Sequence, residues 1–457
     1  MHMEQKPKSP GRREFIGKAA AIGTVGAIGT VGAIGTGHLL SSCKSSRDRY
    51  SAPAWPTKAP DGPVLKAGII GCGNRGTGAA FNWLDAGPNL QITALGDVFS
   101  DRIENCRKQL KERRNVNVPD ENCFVGFDAY QKVINSDVNV ILETSISKFR
   151  PAHFEAAVQA RKHVFLEKPA GVDPVGVRSV MTTGRMAEAA GLSVVAGTQR
   201  RHQLDYATTW SMIQNGAIGD LISAKCCQLR MAQNVTPRQP GWCDMEAMIR
   251  DRANWTWATG DSIVNLLVHN IDVIAWFVGK HPVKATGFGG RHRRQSGDMY
   301  DFFSIDFSFD DKRTLHGATR EIDGCTNKVE EIIFGTKGFT NCRNTIWDNA
   351  GNVIWEYEYP RGEDGRPTRR VAISGHNQEI INFVNSIRTN NPVNQAQDLA
   401  ASSLVSVMGR ISAYTGRDVI WEEMMNSNLE IGPREYRWGP VPDILPVAAV
   451  PGTPPST

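Results

Sequence analysis

Two short stretches carry side chains whose types and spacing suit chemistry on a hydroxyl group. The first is VFLEKPAGV, residues 164–172, an apolar run that delivers Glu167, Lys168 and Pro169 in immediate succession. An ammonium held at a strand end by a proline of fixed φ can polarise an oxygen; the same pattern also describes the charged end of a buried strand. The second is GDSIVNLLVHNIDVIAWF, residues 260–277. At about 100° per residue, Asn265, His269 and Asp272 fall at roughly 0°, 40° and 340° around a helix, one polar stripe on an otherwise apolar cylinder. A histidine on such a stripe is either a core residue satisfied by its neighbours or a group that takes protons near neutral pH.

A third stretch points to a cofactor. Gly71-Cys72-Gly73-Asn74-Arg75-Gly76 is a GxGxxG, a weak signal alone in a chain with 44 glycines among 457 residues. Its setting strengthens it, because it leaves the apolar run KAGIIG, opens a stretch of helical character and is followed by Asp97 at the tip of the next strand. Glycines there permit a tight turn and close approach of a pyrophosphate to a helix N-terminus, and the carboxylate accepts hydrogen bonds from the adenosine ribose. Asp97 would repel a ribose 2'-phosphate, which favours NAD over NADP, although Arg102 keeps NADP open.

The elements that must position these residues alternate strand and helix from residue 64 to about 198, the pattern of a Rossmann-type, doubly wound parallel sheet. In such a sheet ligands bind outside the carboxyl ends of the strands, so Lys168 is expected beside the nicotinamide half of a cofactor. From residue 283 the pattern turns strand-rich, with FFSIDFSF alternating at period two. This predicts a second, strand-rich domain over 199–428. Helices near 376–414 are expected to return to the first domain, and the proline-rich tail 429–457 is expected to be irregular. With a net charge of +5 and dispersed basic residues, nothing demands nucleic acid as a partner.

Residues 1–43 read as an address. Arg12 and Arg13 precede a glycine-rich, dilute apolar stretch, as in a twin-arginine export signal, and LSSC at 40–43 resembles a lipoprotein cleavage box that would make Cys43 the lipidated first residue. A Ser/Pro-rich linker, 44–63, follows. The expectation is an exported protein, periplasmic or lipid-anchored and facing the periplasm. The eight further cysteines show no CxxC pair, so no metal site is expected and no disulfide pairing can be read.

The EKP at 167–169, the GxGxxG at 71–76 and the HNID at 269–272 together resemble the glucose-fructose oxidoreductase, inositol dehydrogenase and MocA family, over roughly residues 64–428. That resemblance implies an NAD-dependent oxidoreductase acting on CH–OH groups of a sugar, glycoside or polyol, a second domain of α+β class built on a large, open, mostly antiparallel sheet, and a homo-oligomer, dimer or tetramer, formed through that sheet. It implies His269 as general base, Lys168 as the group on the substrate oxygen and Asp272 as the orienter of the imidazole. Cofactor contacts are expected from Gly71, Gly73, Asn74, Arg75, Gly76, Asp97, Glu167 and Lys168. Candidate substrate contacts are Asn265, then Arg200, Arg201 and His202 of GTQRRH, which suit hydroxyls or a carboxylate as well as a solvated hinge, and Trp255, which suits a sugar ring as well as core packing. Many members carry a carboxylate where this chain has Asn265, and an amide cannot accept a proton at neutral pH. Because free NAD should be scarce outside the cytoplasm, the cofactor is expected to be tightly bound and recycled in place. Two other readings stay open: a redox-neutral, NAD-dependent glycosidase, which generally lacks the EKP lysine, and a non-catalytic NAD- or sugar-binding protein.

Overall fold

The computed structural model describes residues 53–453. The expected leader, with Arg12, Arg13 and Cys43, lies outside the described residues, as does the start of the linker. The first sheet contains β1 (Leu65–Ile70), β2 (Leu90–Asp97), β3 (Cys123–Val125), β4 (Val140–Glu143), β5 (His163–Leu166) and β6 (Val194–Ala196), all parallel, in the order β3-β2-β1-β4-β5-β6. Its central strands are short and apolar because helices cover both faces; all four residues of β4 are buried. The chain reverses its direction of strand addition between β1 and β4, which opens a crevice at the carboxyl ends of those strands.

One face of this sheet is covered by helices Asn74–Asp85 and Ser100–Arg114 together with Gly375–Arg388, whose Ile380, Phe383 and Val384 share their core. The other face is covered by Ala129–Asn135, Arg150–Gln159 and Pro174–Ala189. Helix Ala396–Thr415 packs on Pro174–Ala189 and also on the second sheet, so one apolar core runs from one sheet to the other.

The second sheet is formed by β7 (Leu221–Arg230), β8 (Lys284–Gly290), β9 (Phe302–Ser308), β10 (Thr314–Glu321), β11 (Lys328–Gly335), β12 (Gly338–Thr340), β13 (Thr345–Asp348), β14 (Val353–Glu356) and β15 (Val419–Ile420). Its order is β14-β13-β12-β11-β7-β10-β9-β8-β15. Every neighbouring pair is antiparallel except β7 with β10. The two fold types expected from the sequence are therefore both present.

The stretch 260–277 is not one continuous helix. A short helix, Thr256–Thr259, ends at Gly260 and Asp261, both at positive φ, and a π-helical turn, Ile263–Leu267, precedes the α-helix Val268–Val278. A π turn holds one more residue than an α turn, so it rotates the side chains before it relative to those after it. The linker residues from 53 onward are docked: Ala59 N donates to Ala86 O at 2.8 Å, and Gln378 Nε2 to Pro56 O at 3.0 Å. All eight cysteines in the described residues are free.

Candidate active site

A cavity of about 750 Å³ occupies the crevice of the parallel sheet and reaches the π turn; its wall includes Gly73, Asp97, Lys168, Asn265, His269 and His376. At the β1 end, Gly71 sits at φ +92°, and a Cβ on Gly76 would stand 1.9 Å from the carbonyl oxygen of Gly71. Only glycine fits either position. A Cβ on Gly73 would meet nothing within 4 Å, so the backbone there is open to the cavity. Helix Asn74–Asp85 starts at Gly73 with no side-chain cap and no acidic residue in its first turn. Its free N–H groups and positive dipole end face a place where an anion gains most.

Asp97 ends β2 and is anchored, with Oδ2 accepting from Cys72 N at 2.7 Å and Oδ1 from Phe99 N at 3.0 Å. Burial raises its pKa, against the lowering effect of those amides. Its remaining lone pairs meet the cavity, as a ribose diol requires. Orphaned helix amides, an open glycine and an anchored carboxylate fit a dinucleotide.

At the other end, the Lys168–Pro169 peptide bond is cis. Lys168 Nζ donates to the backbone oxygen of Asn265, in the π turn, at 2.6 Å. Burial lowers the Lys168 pKa to about 8, against the pull of Glu167 and with the push of Arg150 and Arg75. His269 is half-buried, and burial followed by the Lys168 and Arg200 charges drives its pKa well below the usual value. Its imidazole is neutral at physiological pH. Among the described residues neither of its ring nitrogens has a hydrogen-bond partner, which leaves both free for a ligand. Glu167 and the buried Glu379 both grip Arg75, the latter at 2.8 Å. Burial raises the Glu167 pKa, but the Arg75, Lys168 and Arg150 cations outweigh it and hold the carboxylate ionised.

Several residues expected in the site stand elsewhere. Asp272 does not orient the imidazole: Arg201 Nε and Nη2 donate to its two oxygens at 2.9 Å each, and Ser402 Oγ donates to Oδ1 at 2.9 Å. The π turn brings Asn265 and His269 to the cavity, while Asp272 faces helix Ala396–Thr415. Arg200 is paired with Glu331, Arg201 also reaches Asp398 at 3.2 Å, and His202 lies between Asn382 and Gln395. These three lock the junction after β6 and do not line the cavity, because buried guanidinium groups take the nearest carboxylates. Trp255, 9% exposed, packs in an apolar cluster with Met245, Met248 and Trp257, and offers no face to a sugar.

The sequence reading missed five contributors. Gln199 and His376 join the reaction end of the cavity wall. Burial lowers the His376 pKa. Glu143, fully buried at the end of β4, accepts from Ser145 N at 2.9 Å and meets His153 Nδ1 at 3.1 Å; Ser145 and His153 also line the cavity. A signal for this group existed, since Glu143 ends a strand at the ligand-binding edge. Nothing comparable marked His376, which arrives from a helix more than a hundred residues beyond His269.

The comparisons agree with this geometry. Residues 65–197 match the oxidoreductase family described as an NAD-binding Rossmann fold, and residues 206–340 match the GFO/IDH/MocA C-terminal domain. An inositol 2-dehydrogenase of Acidothermus cellulolyticus is 24% identical over 52% of this chain and 60% of its own length. The chain thus spans under two thirds of that relative. A myo-inositol 2-dehydrogenase of Thermotoga maritima is 21% identical over 79% of this chain and all of its own. A crystal structure of scyllo-inositol dehydrogenase from Lactobacillus casei, with NAD(H) and scyllo-inositol bound, superposes with a TM-score of 0.58 at 21% identity, over 79% of this chain and 99% of that one. With a glycine turn, a lysine and a histidine lining one cavity, and two matched domains covering more than half of the sequence, the chain belongs to the Gfo/Idh/MocA oxidoreductase family.

Proposed function

We propose that the protein is an NAD-dependent oxidoreductase that transfers hydride between a polyol or sugar hydroxyl and a tightly held nicotinamide cofactor. The observation that carries this reading is His269, neutral and without a protein partner, in the same cavity wall as Lys168. Gly73, Asn74 and the first turn of the helix they open would hold the pyrophosphate, and Asp97 the adenosine ribose. When bound, the nicotinamide supplies the hydride acceptor. His269 takes the hydroxyl proton as the C–H bond gives up its electron pair, and Lys168, when protonated, stabilises the alkoxide that develops between those events. Asn265 can hold a second hydroxyl but not its proton, so the relay begins and ends on His269. Lys168 favours this reading over a redox-neutral glycosidase, a branch that generally lacks such a lysine.

The experiment is to add myo-inositol, scyllo-inositol and a panel of sugars and glycosides to purified protein and follow the absorbance of bound NADH. A rise with at least one polyol or sugar is expected. Absence of any rise in protein that demonstrably holds NAD would leave a binding protein, and release of free sugar with no net NADH would favour the glycosidase.

The leader supports export by the twin-arginine route and a lipid at Cys43, and resident NAD suits a protein that folds before export. Labelling the full precursor and its Cys43→Ala variant with a lipid precursor tests the anchor; equal labelling of both would end it. The outer face of the second sheet supports a homo-oligomer. Phe288 is 65% exposed there, and Phe334, Phe339 and Trp347 form an aromatic row with ring centroids 6.0 and 5.0 Å apart.

A further inference from the structure

Beyond the last helix, Trp421–Asn426, the chain forms no regular element up to residue 453, yet it is fastened along the mouth of the cavity. At one end, Lys148 Nζ donates to Glu430 Oε1 at 3.0 Å and to Asp173 Oδ2 at 2.9 Å; the same Asp173 oxygen accepts from Ile431 N at 3.1 Å. At the other end, Met245 N donates to Gly439 O at 3.2 Å, and Val441 N to Asp244 Oδ2 at 3.1 Å. Between these anchors Tyr436 stands edge-on to Phe149 at 5.0 Å, while Trp438 lies 4.8 Å from Phe127 and 5.5 Å from Phe99.

The place of these contacts matters. Phe99, Phe127, Phe149 and Tyr436 all line the cavity, and Phe99 follows Asp97 by two residues. Phe99 N donates to Asp97 Oδ1, and Gly126 N, beside Phe127, donates to Asp97 O at 3.0 Å, so this aromatic group reaches the end where the carboxylate marks the adenosine. Flat, apolar rings suit an adenine, which stacks on aromatic faces. An irregular segment has no ladder of its own, so what holds it is this handful of contacts, together with Val441, which is buried in the apolar cluster of Met245, Met248 and Trp257. The matched family domains, 65–197 and 206–340, contain none of it.

We infer that residues 430–441 are a strap across the adenosine end of the cofactor site, in which Tyr436 forms part of the nucleotide's pocket and Trp438 latches the strap onto Phe99 and Phe127, and that this strap sets the rate of cofactor release. The inference rests on the NAD reading above and supplies what that reading lacks, a structural cause for a cofactor that stays bound. Trp438 is 46% exposed, so the latch can open without disturbing a core. Segments that close over a bound ligand commonly set how fast it leaves.

The test is NADH release from the purified protein, followed by loss of its fluorescence on mixing with excess NAD. Trp438→Ala should speed release, and Tyr436→Ala with Trp438→Ala should speed it by about tenfold or more, since changes to one interface act mostly on the off-rate. Arg437→Ala removes a neighbouring side chain that is 81% exposed and should leave the rate as it was. Release within twofold of the parent in the double variant overturns the strap, as does equal acceleration by Arg437→Ala. Circular dichroism checks the fold, and if the double variant is unfolded, Trp438→Ala with Tyr436→Phe decides on the same criterion. A parent protein that binds neither NAD nor NADH would overturn the cofactor reading itself, an outcome separate from a parent that binds and variants that hold on equally well.

Discussion

Lys168 and His269 divide the work of one proton. Burial and the nearby Lys168 and Arg200 charges lower the His269 pKa, so the acid limb of the rate should lie below the titration of an ordinary histidine. Lys168 is needed charged, and with its pKa at about 8 the rate should decline as pH rises through that value. Lys168→Arg should move this alkaline limb upward by two or more pH units, because a guanidinium keeps its proton to about pH 12. An unmoved limb in single-turnover reduction of bound NAD would take Lys168 out of the chemistry. His269→Ala should slow the same step by roughly 10²–10⁴ while NAD stays bound. The residue types were legible in EKP and HNID, but the partner of Asp272 was not. Its salt bridge to Arg201 joins positions 71 residues apart, and helical spacing within one segment says nothing of such a pairing.

At the scale of elements, the glycine turn and the tip of β2 act together, since Asp97 holds Cys72 N in that turn as well as facing the cavity. Asp97→Ala should weaken NAD by about 10- to 100-fold, the loss of hydrogen bonds to a charged group. NADP should lose less, because the same change removes a repulsion from the 2'-phosphate. Titrating both nucleotides against the variant measures this; equal losses would mean that Asp97 serves only the turn. The π turn belongs to this scale too. Asn265 presents its carbonyl to Lys168 there, and a regular α-helix would spend that oxygen on its own ladder. Apolar residues on every side gave no hint of the extra residue, since a π turn is selected by what packs against it.

At the scale of the molecule, two sheets share a continuous core through helix Ala396–Thr415, and the outer face of the second sheet stays uncovered within the described chain. If copies of the chain meet there, Phe288→Glu with Phe334→Glu should reduce the mass seen by light scattering from that of an oligomer to that of a protomer. A parent that already runs as a protomer would show that the face has another use. Sheet pairing was the least legible feature of this half: β7 lies between β11 and β10, strands about a hundred residues later, so its neighbours could not be read from adjacent turns.

The sequence by itself determined the parts whose signal is local. Alternating apolar strands and helices, a glycine turn that only glycine can make, a carboxylate at the next strand tip and a lysine at a strand end each follow from sterics or periodicity over a few residues. Tertiary structure alone decided which charged groups neutralise each other and which stay free. Arg200, Arg201 and His202 suited a substrate as well as a hinge, and Glu331, Asp272 and Gln395 claim them, while His269 has no such partner. The same holds for residues 429–453, whose prolines forecast irregular chain but could not place Tyr436 against the cofactor cavity. Burial makes an unpaired charge costly, so long-range folding assigns partners first and leaves for chemistry the groups that it could not pair.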